Sequence, residues 1–320
     1  MSILLEPPPL TRRTTPGRAA GWFTGYFLVV IVGGALAGGM LIRLGLQAES
    51  GFWHDLIVEH GPARILRRLQ TLLAIVLAPW MLKKIGWRGS NDLGWNSDQS
   101  RSDRFGDFLL YFAIGTLLMA SLFITAMYTN VREWQSISFG GLLSAIISGV
   151  LITGLGVGFI EETLTRGVLY RCMARAWTAW AGALVSSGLF AWAHFMKASP
   201  ESFESGILPI LRSSLFENFS DSVTPLKFLN LFVFGLVLCR LVHHRGDIWG
   251  AVGLHAAAVG SIKVFSKLTD YNRNIAYRAW LGGHSSKFND GWLMTLLLIV
   301  LLLALEYLHR SGRSSPRVHI

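Results

Sequence analysis

Few ionisable side chains lie within the long apolar stretches of this sequence, and two adjacent carboxylates stand out among them. Glu161 and Glu162 end the glycine-rich apolar run that begins near Gly154, and Arg166 follows. A charge inside a membrane costs several kcal/mol unless it is paired or faces water. If a helix continues here, Glu162 and Arg166 lie on one face and form an ion pair, whereas Glu161 points about 100° away. One carboxylate is then neutralised and the other is free for chemistry, although a charged cap at a helix end is the alternative.

Two histidines in other apolar stretches add groups that can bind or move a proton. Phe190 and His194 are four residues apart, on one face of a predicted helix, and His255 lies in a later apolar run. A chain reversal near residue 177 puts Glu161 and His194 at a similar depth in two antiparallel helices. A carboxylate and two imidazoles can therefore meet in one wet cavity, although each histidine alone could be an ordinary buried residue.

Three dispersed motifs contain these residues. They are Glu-Glu-x-x-x-Arg at Glu161, Glu162 and Arg166, Phe-x-x-x-His at Phe190 and His194, and a third motif that begins at His255. In this combination and order the sequence resembles the CAAX protease and bacteriocin-processing family of intramembrane endopeptidases, which includes the eukaryotic Ras-converting endoprotease. The resemblance covers roughly residues 140–265. Val259 departs from it, because the family has Asn or Asp at this position of the third motif.

The resemblance implies hydrolysis of a peptide bond by a water molecule that a glutamate activates. Glu161 would take the proton from water, and His194 would help to hold that water. His255 would donate to the oxygen that becomes negative in the tetrahedral intermediate. Val259 cannot supply the second donor that Asn would offer, so either another donor replaces it or catalysis is weaker.

The remaining motif residues would support the reacting groups. Glu162 with Arg166 would fix the helix and the local charge, and both belong to the expected catalytic set. Phe190 would pack one turn from His194, where it is expected to contact substrate.

No cofactor is expected, and a zinc site is the alternative. Two histidines and one glutamate can bind Zn²⁺ with water in the fourth position, so Glu161, His194 and His255 would be the ligands. The sequence has no HExxH helix, and the metal-free route is the one that we favour.

The composition indicates that membrane helices position these residues. The chain of 320 residues is 52% hydrophobic and 15% charged, whereas a soluble domain carries about 25% charged residues. The net charge of +10 lies mainly at the ends of apolar runs, which argues against a nucleic-acid-binding protein. We expect an all-α, polytopic transmembrane helical bundle of about eight spans. The predicted spans are roughly 21–43, 63–82, 106–128, 139–160, 178–198, 226–243, 247–265 and 291–308.

The distribution of basic residues predicts the orientation of the bundle. Both termini are basic, and an even number of spans puts them on one side, so we expect both in the cytoplasm of a multi-pass protein of the cell membrane. The stretch from Gly89 to Asp107 is predicted to be a solvated cytoplasmic loop.

The predicted organisation has four parts. A disordered basic tail (1–20) is followed by N-terminal spans (21–135) and a CAAX-protease-like catalytic core (136–268). An extracytoplasmic loop, the last span and a basic cytoplasmic tail (269–320) complete the chain.

Two other classes of function stay open. A catalytically silent relative could act as a membrane scaffold or an immunity protein, which Val259 favours. A proton-coupled transporter could use Glu161 and the histidines as a relay, but the sequence shows no repeat of the kind that transporters carry. The expected partners are membrane lipid and a membrane-anchored protein or peptide. A prenylated C-terminus, a leader peptide and a sorting-signal tail are all compatible substrates.

Overall fold

The computed structural model describes residues 15–48, 50–87, 89–96, 99–196, 198–199, 201–216, 224–272, 278–281 and 290–314. The α-helices within these residues are α1 Pro16–Leu28, α2 Gly34–Gln47, α3 Phe52–His60, α4 Pro62–Lys84, α5 Arg101–Tyr128, α6 Phe139–Ile146, α7 Gly158–Glu162, α8 Arg171–Ala176, α9 Ala179–Ala193, α10 Ser202–Ser205, α11 Ile207–Phe216, α12 Thr224–Arg245, α13 Trp249–Leu268, α14 Arg278–Leu281 and α15 Trp292–Ser314. The π-helical stretches π1 Val29–Gly33, π2 Ile147–Val157 and π3 Thr163–Tyr170 continue the α-helices on either side of them.

Six helical stretches among the described residues are long and apolar enough to cross a membrane. They are Gly17–Gln47, Pro62–Lys84, Arg101–Tyr128, Phe139–Ala176, Pro225–Arg245 and Trp292–Ser311. The fold is therefore the all-α polytopic bundle that the sequence predicts. Helices also form at the other two predicted spans, but α9 has only 15 residues. The helix α13 has 20 residues and is buried in the protein from Gly250 to Ala258.

Two short strands are the only β-structure in the described residues. They are β1 (Arg132–Trp134) and β2 (Thr269–Tyr271), which pair antiparallel with Arg132 opposite Tyr271. The side chain of Arg132 is buried and donates from Nε to the Thr269 hydroxyl at 2.7 Å. This small ribbon joins the chain that follows α5 to the end of α13.

The first of two compact units takes its described residues from Gly89–Phe190 and Pro225–Ile320. Its central helix is α13, which packs against α5, α6, π2 and α7. A small residue allows the close approach of π2, because a Cβ atom on Gly154 would lie only 2.7 Å from the backbone oxygen of Ala256. The helical stretch that leads to Glu161 therefore lies close to the backbone of α13 beside His255, since Ala256 directly follows that histidine.

The second unit takes its described residues from Pro9–Arg88 and Ala191–Thr224. In it, α2 packs against α3, α4, α10 and α11. Its core is a separate cluster of buried side chains that includes Ile42, Ile57, Leu66, Phe203 and Ile210. Proline and glycine mark the start of α4, where Gly61 has a φ of 81° and Pro62 occupies the first helical turn.

The fifth predicted span is too long. The helix α9 ends at Ala193, and the next three backbone N–H groups, from His194 to Met196, donate to carbonyls three residues earlier. Such bonds tighten the last turn of a helix and end it. The side chain of His194 is exposed in this turn, so it lies after the helix and not on its face with Phe190.

Two other regions differ from the predicted spans. The fourth predicted span ends at 160, but helix continues through π3 and α8 to Ala176, and the predicted reversal near residue 177 follows it. The predicted loop after Gly89 is only partly solvated, because its middle packs within the first unit. Leu93 and Gly94 are buried, and the Gly94 carbonyl accepts from the Ile248 N–H at 3.0 Å. Hydrophobicity alone does not reveal this packing, because the loop is mostly polar.

Candidate active site

A buried carboxylate lies at the centre of the motif residues. Glu162, the last residue of α7, has no exposed surface, and its Oε1 accepts from the Arg166 Nη1 at 2.9 Å. Arg166 lies in π3 and is also fully buried. The wide turn of the π-helix keeps residue 166 over residue 162. The ion pair predicted from the spacing is confirmed.

His255 joins this ion pair to the neighbouring carboxylate. Its Nδ1 lies 2.7 Å from Glu162 Oε1, and its Nε2 lies 3.7 Å from Glu161 Oε2. The Glu161 side chain is 37% exposed, whereas that of Glu162 is 0% exposed. The predicted difference between a paired and an open carboxylate is therefore present. One imidazole contacts both of them through its two nitrogens.

Two phenylalanine rings hold the imidazole edge-on. The Phe190 and His255 ring centroids are 6.1 Å apart, with the planes at 86°, and those of Phe234 and His255 are 5.7 Å apart at 82°. The Arg166 guanidinium carbon lies 4.2 Å from the Phe190 ring centroid, a cation–π contact. Phe190 is buried among these groups, with 4% exposure. Its contacts with Arg166 and His255 position the motif residues, and its contact with substrate stays a prediction.

Further residues that the sequence analysis does not single out support the pair. Arg166 also donates to the Thr165 hydroxyl at 2.7 Å and to the Gly235 carbonyl at 3.4 Å. Gly235 and Phe234 lie on α12, an apolar span with no motif of its own, so the sequence offers no signal for them. Glu162 Oε2 and Arg166 Nε are buried and have no hydrogen-bond partner in the described part of the chain. Such atoms are the ones that an ordered water would satisfy.

The loop before α5 contributes a tryptophan that connects the two helical stretches that carry motif residues. Trp95 Nε1 donates to the Thr163 hydroxyl at 3.0 Å, next to Glu162, and its carbonyl accepts from the Trp249 Nε1 at 2.8 Å. Trp249 is the first residue of α13, the helix of His255. Trp95 is thus hydrogen-bonded to the first residue of π3, which contains Arg166, and to the first residue of α13, which contains His255.

The other two candidates are less involved in these contacts. His194 belongs to the second unit, in the turn after α9, with an exposed side chain. Val259 is half-buried on α13, one turn beyond His255 as predicted.

The described residues do not supply the zinc site that the sequence leaves open as the alternative. No group of three or more His, Cys, Asp or Glu side chains that could hold a metal ion occurs among them. Around His255, one nitrogen is already engaged by Glu162, which is itself paired with Arg166. The residues as placed do not fit a zinc centre, and no step of the proposal below uses one.

Comparison with known proteins gives a match to a protein family over part of the chain. Residues 143–260 match the family model of the Rce1-like type II CAAX prenyl endopeptidases. No curated protein and no solved structure matches the chain. The matched region contains Glu161, Glu162, Arg166, His194 and His255, and six candidate membrane spans accompany it. Residues 143–260 of this integral membrane protein are therefore similar to the CAAX-type membrane proteases.

Proposed function

We propose that the chain is a glutamate-dependent intramembrane endopeptidase that hydrolyses a peptide bond of a membrane-associated protein or peptide. The observation that carries the proposal is the closeness of the half-exposed Glu161 to the buried His255. The Oε2 atom of Glu161 lies 3.7 Å from the Nε2 atom of His255. The distance is too long for a direct hydrogen bond. It lets one water molecule approach both atoms within hydrogen-bond distance.

Glu161 is the proton acceptor in this mechanism. Its carboxylate is open to solvent on one side, and its neighbour Glu162 is held by Arg166 and His255. Glu161 takes one proton from water as the oxygen attacks the substrate carbonyl carbon, and it then gives that proton to the leaving amine. Atoms balance, since the water oxygen ends on the new carboxyl group and its two protons are shared between the products.

The role of His255 follows from the bond that its Nδ1 makes. An ionised carboxylate only accepts hydrogen bonds, so Nδ1 carries a proton toward Glu162. Nε2 can then donate only if the imidazole holds a second proton. That state makes the four groups electrically neutral, with two carboxylates against one guanidinium and one imidazolium. In it, Nε2–H donates to the oxygen of the tetrahedral intermediate.

Arg166 and Glu162 act as positioning residues. Because both are fully buried, they hold the ring of His255 and the end of α7 in one arrangement. His194 is proposed to help hold the water on the strength of its motif, and its side chain in the turn after α9 is exposed.

The substrate and the setting are proposed from the family and the helices together. A membrane-anchored protein or peptide is the substrate class, and membrane lipid surrounds the six apolar helices. The basic stretches at both ends of the chain favour cytoplasmic termini in the cell membrane.

The test is the replacement Glu161→Gln, which keeps the side-chain volume and removes the base. Cleavage of membrane-anchored peptides by the purified protein should fall to background, while Glu59→Gln, a control at a carboxylate that is 74% exposed, should cleave normally. A Glu161→Gln protein that still cleaves would refute the glutamate mechanism. If the natural protein instead carries the peptide into vesicles and does not cleave it, the result would support the proton-coupled transporter.

A further inference from the structure

An aromatic cavity lies in the first unit, beside the start of α5. Its volume is about 630 Å³, within the usual range for a ligand site. The walls include Trp95, Phe159 and Trp249, whose rings contact one another with centroids 5.4 and 5.8 Å apart. Phe105, which is 62% exposed, places part of the cavity wall at the protein surface. The cavity is far larger than an inorganic anion and is mostly apolar.

Two arginines give this cavity a positive charge. Arg101 and Arg104 both line it, and no acidic side chain is found among the described residues of its wall. Arg104 uses Nη1 for its two hydrogen bonds, to the Trp95 carbonyl and the Asn96 side chain. Arg101 has an exposed side chain and makes no hydrogen bond or ion pair with any described residue. Guanidinium groups bind phosphate oxygens well because their donors match that geometry.

The cavity lies on a different face from the open carboxylate. Phe159 and Glu161 are two residues apart in α7, so their side chains leave the helix about 200° apart. Phe159 lines the cavity, whereas Glu161 does not. The cavity is therefore separate from the water that Glu161 is proposed to activate.

The position along the helices indicates what fills the cavity. Arg101 starts α5, one of the candidate membrane spans, and Trp249 lies beside that end of α5 in the cavity wall. Tryptophan and arginine at the ends of membrane helices lie at the level of the lipid headgroups. Basic pockets between membrane helices bind anionic headgroups.

We propose that this cavity binds an anionic phospholipid. The phosphate lies between Arg101 and Arg104, and the upper part of an acyl chain lies against the rings of Phe159 and Trp249. Because Trp95 bonds to both Arg104 and Thr163, the bound lipid holds the loop of Trp95 against the helix that carries the motif carboxylates.

The test measures lipid binding and needs no proteolysis, so it is independent of the proposed reaction. The full chain is placed in lipid nanodiscs of phosphatidylcholine with and without phosphatidylglycerol. Native mass spectrometry then counts retained lipids, and a thermal scan gives the unfolding midpoint. We expect one retained phosphatidylglycerol per chain and a higher midpoint with it than with phosphatidylcholine alone.

Variants locate the site. Arg101→Gln should weaken retention about five-fold, and the double variant Arg101→Gln/Arg104→Gln about 25-fold. Arg67→Gln/Arg68→Gln, which removes two exposed charges from α4, is the matched control and should retain lipid normally. Leu155→Trp fills the cavity from its apolar wall without changing any charge, and it should also reduce retention.

Each other outcome contradicts the proposal. Equal retention by the natural protein and by Arg101→Gln, Leu155→Trp and the control would overturn it. An equal midpoint shift from inorganic phosphate would show that the arginines hold only a free anion. Displacement of the phospholipid by a peptide with a free carboxylate would assign the cavity to a substrate chain instead.

Discussion

Replacing Arg166 by methionine tests whether the buried ion pair holds the site together. Methionine keeps most of the side-chain volume against Phe190 and removes the charge. Both Arg166 and Glu162 are 0% exposed, so the variant leaves a carboxylate in the interior without its cation. Breaking a buried pair in this way costs about 3–5 kcal/mol. Glu162 keeps its 2.7 Å contact with His255, so we expect the lower end, about 3 kcal/mol.

The second variant of this experiment removes both charges. In Glu162→Gln/Arg166→Met no unpaired charge remains in the interior, and replacing a whole buried pair is often close to neutral. We expect the double variant to recover at least about half of the stability that Arg166→Met loses. Cleavage should stay low in both variants. Arg166→Met leaves Glu162 without the guanidinium that fixes it, and the double variant also removes the carboxylate that orients His255.

The assay is unfolding of the purified protein in detergent by added denaturant. The circular dichroism signal of the helices reports the fraction that stays folded. Arg64→Met, at an exposed position of α4, is the control for loss of a positive charge. The reasoning is refuted if Arg166→Met unfolds at the same denaturant concentration as the natural protein. It is also refuted if the double variant is less stable than Arg166→Met, since the cost would then not come from an unpaired charge.

Three further predictions concern metal, the third motif and the loop tryptophan. Extended chelation should leave the cleavage rate intact, and elemental analysis should find well under one metal per chain; stoichiometric zinc that restores a chelated enzyme would reverse the assignment. Val259→Asn should raise a measurable rate by up to about a hundred- to a thousand-fold, because it adds a donor one turn from the imidazole; an unchanged rate in a folded protein would mean that the oxyanion has another donor. Trp95→Phe removes the N–H that donates to Thr163 and should lower the free energy of unfolding by about 1 kcal/mol, whereas Trp292→Phe, at an exposed ring, should not.

Local spacing was enough to predict the ion pair. Glu162 and Arg166 are four residues apart, and either an α-helix or a π-helix brings them together. Glu161 is left open for a different local reason, because one residue step turns its side chain about 100° away from that of Glu162. The sequence could not predict that His255 contacts both carboxylates, since that contact depends on how α13 packs against α7.

Hydrophobicity predicted the helices better than their ends. Phe195 and Met196 continue the apolar run of α9, so the run does not show that the helix stops at Ala193. The end is visible only in the backbone hydrogen bonds of the turn. Trp95 and Phe234 were missed for a related reason: one is in a polar loop and the other in an apolar span, and only the packing brings them to the motif residues.

The ion pair within one helical stretch also bears on how the protein enters its membrane. His255 is 93 residues beyond Glu162, so the ribosome has not yet made it when the helix of Glu162 reaches the translocon. Arg166 emerges four residues after Glu162 and can neutralise it at once. Since an unpaired charge opposes partition into lipid, the pair makes insertion of this helix less costly before any tertiary contact exists. His255 arrives later, on a helix whose charges are two lysines near its end. Biogenesis thus requires only a local contact at first, and the assembly of the imidazole with both carboxylates is left to the final docking of α13.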